Sequence, residues 1–154
     1  MSADVVVEQA RVASAELLGD LNALLPQLSS SAAPLTMAAL AELLARADTA
    51  VFVARLAGRV VGTLTLVEFP IPTGRRAWIE DVVVDGAARQ RGVADQLTRA
   101  ALALAAAHGA RQVDLTSRPS RQAANALYQK LGFARRDTNV YRFSFETSHA
   151  SPEG

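Results

Sequence analysis

Val82-Val83-Val84-Asp85-Gly86-Ala87-Ala88-Arg89-Gln90-Arg91-Gly92-Val93-Ala94 is the stretch on which the reading of this chain turns. Three consecutive β-branched apolar residues read as a strand. The segment 95–107 reads as a helix, with Val93, Leu97, Ala101 and Leu104 on one stripe. Between them lies a glycine-containing loop with two arginines. A strand that turns through such a loop into a helix offers the free N–H groups of the first helical turn, and the positive end of the dipole, to whatever sits at the loop. Those are the requirements of an anion site, and above all a phosphate site. Gly92 has no Cβ and lets the backbone approach a ligand closely. Ala94 is nearly as small, and Arg89 and Arg91 can add charge from the rim.

Working outward, Asp95 in the first turn and His108 in the last both suit the helix dipole, and Gly109 fits a helix stop. Upstream, Val5-Val6-Val7 reads as a first strand. Leu17, Leu18, Leu21, Leu24 and Leu25 recur at helical spacing as far as Pro26. Ser29-Ser30-Ser31 and Pro34 mark a loop, and Thr36 is an N-cap for a second helix with Met37, Leu40, Leu43 and Leu44 on one face. Strands follow at 51–56 and 60–67, joined at Ala57-Gly58-Arg59. Pro70, Pro72 and Gly74 then break the chain before a strand at 76–84. Downstream, 112–116 reads as a strand, 121–130 as a helix stopped by Gly132, and 133–136 with 140–145 as a closing pair of strands. Residues 147–154 read as a frayed polar tail. The order predicts an α/β (α+β) chain: one domain over 1–146, with a mixed sheet and helices on both faces.

A chain of 154 residues, half of them hydrophobic, is long enough to bury one core. A net charge of +1 gives no global basic field for nucleic acid, so none is expected as a partner. The local arginines, Arg75-Arg76 among them, read as mostly solvated. Without cysteine the chain has no disulfide, thiolate metal site or cysteine nucleophile, and no metal is expected. Met1-Ser2-Ala3-Asp4 lacks the marks of a signal peptide, and no apolar run approaches a membrane span of about 20 residues. A cytoplasmic protein without a membrane partner is the expectation.

The element order and the match of Arg89, Gly92 and Ala94 to Gln/Arg-x-x-Gly-x-Gly/Ala resemble the GNAT superfamily of acyl-CoA-dependent N-acyltransferases. Asn125-Ala126-Leu127-Tyr128-Gln129-Lys130-Leu131-Gly132-Phe133 resembles the family's final helix, where Asn and Tyr sit one turn apart before a Leu-Gly-Phe exit. The likeness spans about residues 4–146 and is clearest over 78–133. It implies a mostly antiparallel sheet splayed between its fourth and fifth strands. It also implies acetyl-CoA as acyl donor, with pyrophosphate on the backbone of Arg89, Gln90, Arg91, Gly92, Val93 and Ala94. The pantetheine arm would lie along Val82 and Val84, and an N–H near Val82 or Val83 would polarise the thioester carbonyl. Tyr128 would be the acid that protonates the leaving thiolate, and Asn125 would hold the arm or the thiol region. Family members are often dimers, so a homodimer is a weak expectation.

A phenol of pKa about 10 can donate to a thiolate whose acid has pKa about 8.5. Ala124, Leu127 and Leu131 read as the core stripe of that helix, with Tyr128 at its edge; a half-buried aromatic reaching water is the plainer reading of Tyr128. An attacking amine must shed a proton, and Glu80 is the candidate base. It alternates with Trp78, Val82 and Val84, leaving Ile79, Asp81 and Val83 on the other face. A salt-bridged or solvated strand carboxylate is an equally open reading of Glu80. Asp81 reads as structural, His108 as a helix C-terminal cation, and Trp78 as core or substrate wall. The loop 27–35 is a candidate for acceptor specificity. Direct attack on acetyl-CoA by a primary amine, from a small molecule or a peptide, is the expected reaction. The alternative is a non-catalytic acyl-CoA-binding or regulatory module, which would keep the loop and lose Tyr128. The Gly-x-Gly-x-x-Gly of a dinucleotide fold and the Gly-Lys-Ser/Thr of a P-loop are both missing.

Overall fold

A computed structural model describes residues 4–145. The tail expected at 147–154 lies outside the described residues. Met1–Arg118 and Pro119–Gly154 form two compact units. In the first, β1 (Val5–Ala10), α1 (Ala15–Leu24), a 3-10 turn (Leu25–Gln27) and α2 (Met37–Ala45) precede β2 (Thr49–Leu56), β3 (Arg59–Ile71) and β4 (Gly74–Val84). A second 3-10 turn (Gly86–Ala88), α3 (Val93–Ala107) and β5 (Val113–Asp114) complete it. The second unit contains α4 (Gln122–Lys130).

The sheet runs in the order β1-β2-β3-β4-β5, antiparallel except for the parallel pair β4–β5. Thr36 caps α2 as expected, its Oγ1 accepting from Ala39 N at 3.1 Å, and Ser14, which the sequence reading did not single out, caps α1, its Oγ accepting from Leu17 N at 3.1 Å. The β2–β3 hairpin turns through Ala57 (φ 51°) and Gly58 (φ 82°), the doubly positive pair that matches strand twist. The break expected at Pro70, Pro72 and Gly74 narrows to a turn at Pro72-Thr73, and Pro70 lies within the strand before it. Pro70 pairs with Arg75 and Ile71 with Gly74, so β3 and β4 form one long hairpin. The prolines fall at its far end, where few ladder hydrogen bonds remain to lose.

The two faces of the sheet carry different helices. Val51 and Val53 of β2, with Val60 and Val83, pack with Leu17, Leu21 and Leu24 of α1 and Leu40 of α2. On the opposite face lies α3, whose Val93, Leu97, Thr98, Ala101 and Ala105 are buried. A Cβ at Gly62 would lie 2.7 Å from Val93 Cγ1 and 3.2 Å from Leu97 Cδ1, so α3 sits on the sheet more closely than any side chain at position 62 would permit. Thr98 spends its hydroxyl on Ala94 O at 2.7 Å.

Two expectations at the C-terminal end are corrected. β5 is limited to Val113–Asp114, shorter than 112–116. No strand occurs at 133–136 or 140–145, although residues 141–145 alternate apolar and polar. Val140, Tyr141, Phe143 and Phe145 are all largely exposed. A period-two pattern becomes a strand only when a neighbouring strand takes up its hydrogen bonds. No helix of the described residues is long and apolar enough to cross a membrane.

Substituting Gly62→Ala places a methyl against a stiff β-branched side chain at 2.7 Å. Overpacking of this kind costs about 1–3 kcal/mol, more than a strand gains from losing a glycine. Thermal unfolding of the variant should give a lowered Tm; an unchanged Tm means α3 can slide without cost.

Candidate active site

The loop after β4 is built by local hydrogen bonds before any ligand is considered. Asp85 N donates to Val61 O at 2.7 Å, and Asp85 Oδ1 accepts from Ala87 N at 3.0 Å, capping the 3-10 turn. Gly86 N donates to Gln27 Oε1 at 3.1 Å, which ties the end of the α1 segment to this loop. Ala88 is buried beneath it. The chain then passes through Gln90 (φ 65°) and Gly92 (φ 74°, ψ 17°) into α3.

Gly92 is the N-cap of α3 and brings no side-chain cap. Gln96 N is the first to reach back, to Gly92 O at 3.0 Å. The N–H groups of Val93, Ala94 and Asp95 therefore have no acceptor within the helix. Nothing lies within 4 Å of a Cβ built on Gly92, so the backbone is open there. Successive N–H groups bent by left-handed residues form a concave anion site, reinforced by the helix dipole. Arg89, Gln90 and Arg91 are exposed at its rim. Asp95 would oppose an anion, but it is ion-paired to Arg99. The helix begins at Val93 rather than at the expected residue 95, so residues 89–94 run without interruption from the loop into the first helical turn.

β4 pairs with β5 only at Ala77–Val113 and Trp78–Asp114. From Ile79 onward the edge of β4 facing β5 has no partner strand among the described residues. That is the fork expected between strands 4 and 5. Arg76 Nη2 donates to Asp114 Oδ2 at 2.9 Å and its guanidinium lies 5.9 Å from the Trp78 ring centre, at the last pair before the fork. Arg75 and Arg76 are thus half-buried and paired, not solvated as the sequence suggested. Arg75 Nη2 lies 3.4 Å from Glu68 Oε2.

The expected alternation along β4 fails at Asp81, whose φ is 51°. The ladder with β3 shifts between Thr63 and Thr65, so β4 carries a bulge there. Before the bulge Ala77 and Ile79 are buried, and Glu80 is exposed on the opposite side. After it Val83 joins the α1 cluster. Glu80 therefore shares its face with Trp78 and Val83 rather than with Val82 and Val84. A single residue with positive φ reverses the parity of everything after it. Position 81 holds neither glycine nor asparagine, so nothing local signals this.

In the second unit Asn125 and Tyr128 lie one turn apart on α4. Tyr128 is 8% exposed and is the buried residue of that helix, whereas Ala124, Leu127 and Leu131 are half-buried. The expected core stripe is thus one residue out. Phe133 packs edge-on to Tyr128 at 5.6 Å, and Phe133 N donates to Tyr128 O at 2.9 Å after the left-handed turn at Gly132. Burial pushes the Tyr128 phenol above its ordinary value, against a downward pull from Arg121. The phenol stays protonated through neutral pH and can act as a proton donor.

The family model described as the acetyltransferase (GNAT) family matches residues 21–133. No curated protein matches at a significant level. Among solved structures, one assigned as an acetyltransferase from Agrobacterium tumefaciens str. C58 is 29% identical, with a TM-score of 0.79, covering 90% of this chain and 99% of that one. An aminoglycoside acetyltransferase from an uncultured soil metagenomic sample, in complex with trehalose, has TM-score 0.82 at 19% identity, covering 92% and 97%. AAC(6')-Iy in complex with the bisubstrate analogue CoA-S-monomethyl-acetylneamine has TM-score 0.76 at 22% identity, covering 93% and 99%. The last two likenesses concern the fold.

Gly92→Val strains a left-handed position and fills the open space above it. Calorimetric titration should show weaker CoA binding, and unchanged affinity would mean that this loop holds no phosphate. For Tyr128 the folded pKa is raised above the ordinary value near 10. Its contribution to stability is therefore complete below pH about 10 and is lost as pH rises from there through the folded value. Between pH 9 and 11 the unfolding free energy of the parent chain should fall more steeply than that of Tyr128→Phe, and parallel curves would show that the phenol is solvated.

Proposed function

The chain belongs to the acetyltransferase (GNAT) family, and from that premise we propose that it transfers an acetyl group from acetyl-CoA to a primary amine by direct attack in a ternary complex. The observation that carries this reading is the uncapped, left-handed entry to α3 at Gly92, joined to a β4 edge left without a partner from Ile79. One feature suits a pyrophosphate and the other an extended, amide-bearing arm.

In this reading the N–H groups of residues 90–94 hold the pyrophosphate, with Arg89 and Arg91 adding charge. The backbone of Val82 and Val84 pairs with the arm. An N–H at Val82 or Val83 stabilises the oxyanion formed as the amine nitrogen bonds to the thioester carbonyl carbon. Glu80, exposed two residues before that stretch, takes the proton the amine sheds. As the carbon–sulfur bond breaks, Tyr128 gives its phenolic proton to the thiolate, leaving CoA thiol and an N-acetylated amine. Its burial, which keeps the phenol protonated, supports that role. Asn125 holds the arm or thiol region by hydrogen bonds. The acceptor is an amine of a small molecule or a peptide, and the loop 27–35 contributes to its selection. Asn22 holds that loop through Leu35, accepting from Leu35 N at 2.9 Å and donating to Leu35 O at 3.0 Å.

The test is thiol release from acetyl-CoA with a panel of small-molecule and peptide amines. Release with at least one amine is expected. Tight CoA binding without release for any amine would favour a non-catalytic binding module. With an active amine, Tyr128→Phe should lower kcat about 10²-fold while changing CoA affinity little, in line with the usual worth of general acid catalysis. Equal turnover removes the acid role.

A further inference from the structure

The end of α3 remote from Gly92, about 24 Å along the helix, carries a charged cluster that acetyl transfer leaves unused. Glu68 of β3 is 3% exposed. Its Oε2 lies 2.7 Å from His108 Nδ1 and 3.4 Å from Arg75 Nη2. Its Oε1 is shielded from solvent and has no hydrogen-bond partner among the described residues. A buried carboxylate oxygen without a donor is costly, and a ligand donor would remove that cost. Glu68 lines a cleft of about 390 Å³ together with Gln9, Arg11, Arg46, Thr49 and His108, within the usual range for small-molecule sites.

The other charges of the cleft decide the ligand. Arg46 is spent on Asp48, through Nε at 2.9 Å and Nη2 at 2.8 Å. Arg11 meets only the neutral Gln9 Oε1, at 3.1 Å, and has no carboxylate partner among the described residues. One carboxyl oxygen without a donor and one guanidinium without a carboxylate partner among the described residues thus belong to side chains lining a single cleft. Ala45, the last residue of α2, also lines it, and the negative end of a helix dipole favours a cation there. We propose that this cleft binds a small zwitterion of the amino-acid class, its ammonium donating to Glu68 Oε1 and its carboxylate resting on Arg11.

The test is calorimetric titration of the full chain, without acetyl-CoA, with glycine, L-alanine and L-glutamine. Propionate and ethylamine serve as single-pole controls. Saturable binding of at least one amino acid is expected, at least tenfold weaker for both controls and in both Arg11→Ala and Glu68→Gln. Arg11 is exposed, so its variant decides the matter should the Glu68 change disturb folding. The proposal is overturned by the absence of saturable binding, by controls that bind equally well, or by affinity unchanged in Arg11→Ala, which would put the amino acid at an acceptor site instead. Because no acyl donor is present, the outcome is independent of the acetyl-transfer reading.

Discussion

The first turn of α3 rests on β3 at Gly62, where the absence of one Cβ lets Val93 and Leu97 settle against the sheet. The cradle is the chain immediately before that turn. Its loop is fixed at the other end by Asp85, whose N–H is bonded to Val61 O on the same strand. With both ends held by β3, residues 86–92 have little freedom, and the backbone N–H groups at the helix entry stay uncapped because no local side chain reaches them. Close packing of an apolar helix stripe thus preorganises a polar site several residues away. Preorganised donors stabilise a bound anion without the cost of ordering them on binding.

A second constraint acts along β4. The bulge at Asp81 reverses the side-chain parity of the strand, and pairing with β5 stops at Trp78–Asp114. At Ala77 and Trp78 the strand is paired on both sides, with Ala77 in the core. Downstream it has a free edge. Arg76, bonded to Asp114 and lying over Trp78, fastens the two strands where they begin to separate. The left-handed conformation of a non-glycine residue has a cost, and the ladder with β3 on either side holds it in place.

Much of this was legible in the chain. Periodic leucines located α1 and α2, the Thr36 hydroxyl marked the cap of α2, and the valine run, the loop glycine and the stripe from Val93 located β4 and α3. These are local signals, since each depends on residues within a turn or two of one another. The misreadings were non-local. Pro70 punctuates a loop in most contexts, yet here it pairs with Arg75 and the chain turns only at Pro72-Thr73. Residues 141–145 alternate as a strand would, but no partner strand accompanies them among the described residues. The one-residue error on α4, where Tyr128 rather than Leu127 is buried, arises because a helical stripe is wide enough for neighbouring positions to compete for the inward place.

By itself, the sequence determined that a strand enters a helix through Arg89-Gln90-Arg91-Gly92. It also determined the family, through residues 89–94 and 125–133 taken in order. Tertiary structure alone decided which face Glu80 presents, where β4 parts from β5, and that Glu68 is buried with one oxygen unmatched. The physical reason is common to all three. Backbone conformation at a bulge, strand partnership and charge burial depend on residues distant in the chain, whereas caps, turns and helical stripes are settled by neighbours.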